Sequence, residues 1–176
     1  MDQELKGKTA LVTGASRGIG AATAIALAHS GVSRLILHYN SYKPGIEKVM
    51  ASAQKAGAQS QAIQADLGTD AGIRAFVESL TATGAGVDIL INNAGSLVKR
   101  AKLAEFSFEL YDRVMTLNVK SAWFIAQAVT PHMLAARSGF IVNVSSIAAR
   151  NGGGVGATVY AAAKAAISAI TKGLAK

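Results

Sequence analysis

Cysteine is absent from all 176 residues, which excludes a disulfide framework and thiolate chemistry. No apolar run reaches the roughly 18 residues of a membrane span. The first four residues, Met-Asp-Gln-Glu, are acidic and polar, unlike a signal peptide. The expected setting is therefore the cytoplasm, with no membrane partner. Acids are missing beyond Asp112. From Arg113 to Lys176 there are seven Lys or Arg and no Asp or Glu, which accounts for most of the formal charge of +8. The bases are scattered and do not interleave with aromatics, so nucleic-acid binding is not expected. A solvated surface and attraction for an anionic cofactor both fit this charge. His29, His38 and His132 stand apart, without metal-ligand spacing. No G-x-S-x-G elbow is present, which leaves a serine hydrolase unsupported. Internal repeats, linkers and low-complexity segments are also lacking. What remains is half apolar and sparsely charged, the composition of one globular domain.

Thr13–Gly20, Thr-Gly-Ala-Ser-Arg-Gly-Ile-Gly, is the organising stretch. The apolar run Thr9–Val12 precedes it and reads as a buried strand. Ala21–Ser30 follows, rich in Ala, Ile and Leu, and reads as a helix. A strand that turns through glycines into a helix suits a phosphate, because the first helical N–H groups lack partners and the dipole favours an anion there. The spacing G-x-x-x-G-x-G is neither the G-x-G-x-x-G fingerprint nor a P-loop, and alone it is weak.

Strand and helix patterns then alternate. Arg34–His38 reads as a second strand, followed by a helix from Pro44 to about Lys55. Ser60–Gln64 is a third strand ending near Asp66. Thr69 or Asp70 caps a helix to about Thr83. Asp88–Asn92 is a fourth strand, followed by a loop to about Phe106. Ser107 caps a long helical region to about Ala136, with an irregularity expected near Asn118 or Pro131. Phe140–Val144 is a fifth strand, Gly152–Gly156 a flexible loop, and Thr158–Lys176 an alanine-rich helix. The pattern predicts an α/β domain over residues 1–176, a Rossmann-like doubly wound parallel sheet with helices on both faces. Ligands then bind beyond the carboxyl ends of the strands. Those ends carry Thr13–Gly20, Tyr39-Asn40, Asp66, Asn92–Gly95 and Ser145-Ser146.

Tyr160 and Lys164, four apart on the last helix, share one face. A free phenol ionises near pH 10, and an adjacent ammonium favours the phenolate, which suits acid–base work. The pair alone is common and usually structural. Together with Thr13–Gly20, Asn92-Asn93-Ala94-Gly95, Asn118 and Ser145-Ser146, it resembles the short-chain dehydrogenase/reductase family, its 3-oxoacyl-carrier-protein reductases in particular.

That resemblance implies hydride transfer between NADP(H) or NAD(H) and a small carbonyl or secondary alcohol. Tyr160 would protonate the substrate oxygen, and Lys164 would assist it and hold the nicotinamide ribose. Ser146 would polarise the carbonyl, with Ser145 its rival. Asn118 would hold a water relaying protons to Lys164. Gly14, Ser16, Arg17, Gly18, Ile19 and Gly20 would cradle the cofactor. Tyr39, Asn40, Ser41, Asp66, Leu67, Asn93, Ala94 and Gly95 would line it. Asp66 would contact the adenine amino group, and Asn92 would stabilise the central strands. An acid at the end of strand two would select NAD. None occurs before Glu47, while Arg17 with Asn40 or Ser41 could hold a 2′-phosphate. NADP(H) is therefore preferred over NAD(H).

Trp123, Phe124 and the helix Ala161–Ala169 read as packing surface, which in the resembled family forms a subunit interface. A homodimer or homotetramer is expected. Family members continue past this last helix with further strands, a nicotinamide-contacting turn and a lid. The C-terminal strands are accordingly expected to be missing, the chain being a fragment of a longer protein. A cofactor-binding or oligomer-forming module without turnover is the alternative.

Overall fold

The computed structural model describes residues 5–176; Met1–Glu4, read above for leader character, lie outside the described residues. Five parallel strands, β1 (Thr9–Val12), β2 (Arg34–Tyr39), β3 (Gln59–Gln64), β4 (Ile89–Asn92) and β5 (Phe140–Asn143), form one sheet in the order β3-β2-β1-β4-β5. The helices are α1 (Gly18–His29), α2 (Lys43–Lys55), α3 (Asp70–Ala82), α4 (Phe108–Met115), α5 (Ser121–Ala136), α6 (Ala148–Asn151) and α7 (Thr158–Leu174). Strand order reverses at β1, so a crevice opens between the ends of β1 and β4.

The period of two along β1 explains the layering. Ala10 and Val12 face one side with Leu35 and Leu37, where Ala24, Ala28, Ile46 and Val49 of α1 and α2 cover them. Leu11 faces the other side with Ile36 and Leu90, beneath Ile73 and Phe76 of α3 and Ile125 and Val129 of α5. Leu11 pairs in register with Ile36 on one side and Leu90 on the other. Such strands are buried on both faces and read as unbroken apolar runs. β5 lies at the sheet edge, with Phe140 and Val142 exposed.

The expected alternation is present, with local differences. α1 starts at Gly18, inside the turn, three residues before the apolar run begins. A 3-10 turn at Leu103–Glu105 occupies a stretch read as loop, and the single turn of α6 lies just before the loop read at Gly152–Gly156. Elements this short carry no periodicity to read. The expected irregularity falls at Asn118 and not at Pro131: α4 and α5 join through a π turn, Thr116–Lys120, and α5 runs on through Pro131. The side-chain Nδ2 of Asn118 donates to the Val114 carbonyl four residues back, at 2.8 Å. The amide group thus uses a carbonyl that a regular helix gives to the backbone, and the turn widens.

Candidate active site

The glycine turn is held from three sides. The Thr13 hydroxyl donates to the Ile91 carbonyl (3.3 Å) and accepts from the N–H groups of Asn93 and Ala94, both at 2.9 Å. Nδ2 of Asn93 donates to the carbonyls of Thr13 (2.8 Å) and Gly14 (3.2 Å). From β2, the His38 carbonyl accepts from Ala15 N–H at 2.8 Å. Gly14 adopts φ +65°, a left-handed conformation that glycine takes at little cost. A Cβ on Gly20 would collide with the Gly14 carbonyl and the Asn93 amide. Arg17 caps α1 without a side-chain hydrogen bond, so the N–H groups of the first turn have no acceptor from the cap.

His38 supplies a contact the isolated histidines did not suggest. Its Nδ1 accepts from Gly14 N–H at 3.0 Å, which places the ring proton on Nε2, 3.0 Å from the Ala65 carbonyl. Burial pushes its pKa down to about 4, so the ring is neutral near pH 7. A polar residue next to last in the otherwise apolar run Leu-Ile-Leu-His-Tyr is the signal that could have found it.

At the ends of β2 and β3 the predicted residues divide. Asn40 and Ser41 are exposed and line the cleft; Asp66 and Leu67 face them. Tyr39 does not line it. It alternates onto the face of Leu35 and Leu37, is buried among them, and its hydroxyl reaches Gln64 Oε1 at 3.4 Å. Asp66 is gripped by Arg113 of α4, which sequence reasoning missed. The paired guanidinium hydrogen bonds hold its carboxyl below the usual range, with help from Gly68 N–H.

The other end of the cleft assembles from β4, the π turn, β5 and α7. Lys164 is 4% exposed, and its Nζ donates to the Val144 carbonyl at 2.9 Å. The same Nζ lies 5.8 Å from the centroid of the Tyr160 ring. Burial lowers the Lys164 pKa. Asn118 is buried, bonded through Oδ1 to Ser96 N–H (3.2 Å) and through Nδ2 to the Ser96 carbonyl (2.8 Å). It does not line the cleft directly; it borders Gly95, where a Cβ would meet Asn118 Oδ1 at 2.7 Å and Lys164 Nζ at 2.9 Å. Ser145 Oγ donates to the Lys164 carbonyl (3.0 Å) and lies 2.9 Å from Ser168 Oγ. Ser146 Oγ accepts from Ala148 N–H (3.2 Å), and its own proton has no acceptor among the described residues. Asn92 ties β4 to α5 and β5, donating to the Ala122 carbonyl and to Asn143 Oδ1.

These parts meet in one cleft of about 560 Å³, which runs from Arg17 and Asn40 past Gly14, Asn93 and Gly95 to Ser146, Tyr160 and Lys164. Ser16, Ile19, Asp66, Leu67 and Ala94 also line it, whereas Gly18 and Gly20 shape the turn behind it. Among the described residues, Arg17, Arg113 and Lys164 outnumber the one carboxylate that lines it, Asp66. A glycine cradle at a helix N-terminus, a basic balance and an elongated form fit the diphosphate of a dinucleotide. Among the described residues no cluster of His, Asp and Glu suits a metal ion, and no helix is long and apolar enough to cross a membrane.

Residues 8–176 match the family model described as short chain dehydrogenase. The 3-oxoacyl-[acyl-carrier-protein] reductase of Staphylococcus epidermidis is 36% identical over 165 residues, 94% of this chain and 66% of that protein. An NADH-dependent reductase, A1-R′, solved with NAD superposes with a TM-score of 0.89 at 36% identity, covering 99% of this chain and 74% of that one. A 3-oxoacyl (acyl-carrier-protein) reductase from Agrobacterium tumefaciens C58, solved with NADP bound, gives 0.87 at 33% identity, covering 98% and 65%. The chain spans 62 to 66% of the length of the curated relatives it matches. With a parallel sheet in the order 3-2-1-4-5, a glycine cradle at the β1–α1 turn and matches over nearly its whole length, the chain belongs to the short-chain dehydrogenase family of oxidoreductases.

Proposed function

We propose that this chain carries the cofactor site and the acid–base machinery of an NADP(H)-dependent carbonyl reductase. One observation carries the reading: Ser146, Tyr160 and Lys164 line the same cleft as the glycine turn. When bound, a reduced nicotinamide cofactor supplies the hydride. The Ser146 hydroxyl, with a proton to give, donates to the substrate carbonyl oxygen and polarises it. Tyr160 passes its proton to that oxygen. The buried Lys164 ammonium, steadied by the Val144 carbonyl, stabilises the charge left on the phenol. Asn118 Oδ1 and Lys164 Nζ converge on Gly95, which supports a proton relay through water between them.

The preference for NADP(H) rests on charge. Among the described residues the β2 end offers Asn40, Ser41 and Tyr42 to the cleft and no acid, with the exposed Arg17 nearby. A guanidinium binds a 2′-phosphate well, and no carboxylate is there to repel it. The solved relatives include an NAD complex and an NADP complex, and the preference rests on these residues. The reading includes a cytoplasmic setting and a homo-oligomer, the latter supported by Trp123 and Phe124, both over 40% exposed on α5.

The test is NADPH oxidation with small ketones and 3-oxoacyl thioesters. Turnover that Tyr160→Phe abolishes supports the reading. Cofactor binding without turnover of any of these substrates favours a module without catalysis.

A further inference from the structure

Arg113 comes from α4, 47 residues from Asp66 in sequence, yet both side chains line the cleft at the end away from Tyr160. The two groups meet as a planar fork: Nη1 donates to Oδ2 and Nη2 to Oδ1, each at 2.8 Å. Oδ1 accepts a second hydrogen bond from Gly68 N–H at 3.0 Å. Among the described residues Oδ2 has only the guanidinium, which leaves one of its lone pairs for a ligand. The backbone is shaped around this contact, since a Cβ on Gly68 would collide with the Arg113 guanidinium. The fork also settles an electrostatic conflict. An unpaired carboxylate would repel the phosphates of a dinucleotide in the same cleft; the paired one is locally neutral and fixed in orientation.

We propose that Arg113 is a positioning residue for the nucleobase: it clamps Asp66 so that Oδ2 accepts from the exocyclic amino group of an adenine. The proposal rests on the reading of this cleft as a dinucleotide site with Asp66 at its adenine end. Arg113 touches no reacting atom; it acts through Asp66.

The decisive measurement compares dissociation constants for NADPH and for its hypoxanthine analogue, which has a carbonyl in place of the amino group. The unmutated chain should bind NADPH about tenfold more tightly than the analogue. Arg113→Met should bring that ratio close to one. Arg113→Lys should recover part of the overall affinity through its charge but not the ratio, because it lacks the fork. Gly68→Ala, which keeps the arginine but displaces it, should also lower the ratio. A merely structural role would weaken both dinucleotides equally and leave the ratio unchanged, which overturns the proposal. A ratio of one in the unmutated chain overturns it without any variant. Failure of the unmutated chain to bind any nicotinamide nucleotide overturns the parent reading, and this one with it.

Discussion

The His38 ring accepts the Gly14 amide proton at 3.0 Å, so a neutral imidazole from β2 braces the turn at the end of β1. A protonated ring has no lone pair for Gly14. The pKa is about 4 in the fold against 6.5 for the free side chain. Above pH 6.5 both folded and unfolded chains are neutral at this residue, and its contribution is fully present. As pH falls from 6.5 towards 4 the unfolded chain takes up the proton first, and stability is lost, by up to about 3 kcal/mol. Thermal unfolding across that window should show the decline. His38→Asn, whose amide oxygen can accept from Gly14 without titrating, should flatten it.

The two serines after β5 have different partners. Ser145 is committed to α7 through the Lys164 carbonyl and Ser168, whereas the Ser146 proton is uncommitted. Ser146→Ala should lower kcat by on the order of 100-fold with little change in Tm. Ser145→Ala should cost about 1 kcal/mol of stability and reduce kcat much less. Steady-state rates and melting curves of both variants check this; the opposite pattern assigns the polarising role to Ser145.

Arg17 sits in the turn with no salt-bridge partner among the described residues. Arg17→Ala should reduce kcat/KM for NADPH by about tenfold or more while leaving that for NADH nearly unchanged. An equal loss with both cofactors would show that Arg17 does not read the 2′-phosphate.

Gly20 tests the cradle. A methyl there meets backbone and the Asn93 amide, neither of which can yield without moving the turn. Gly20→Ala should weaken dinucleotide binding at least tenfold and destabilise the fold by about 1–3 kcal/mol. Isothermal titration and chemical denaturation of the variant measure both; unaltered affinity would mean that the turn does not set the phosphate site.

Much of this was legible from residue order. Strand and helix alternation follows from local periods of 2 and 3.6, so the doubly wound sheet could be read before any contact was known. Spacing likewise put Tyr160 and Lys164 on one face and the glycines at the mouth of α1. Period alone also argues that Tyr39 faces inward with Leu35 and Leu37, a conclusion that the polar character of the strand end obscured. Packing was needed for the rest. The grip of Arg113 on Asp66, the brace from His38 to Gly14 and the hold of Ser145 on the Lys164 carbonyl join residues far apart in the chain. A side chain's partner depends on which helix lies over which strand and by how many ångströms. No local pattern carries that distance, because the contact exists only once the two layers have closed on the sheet.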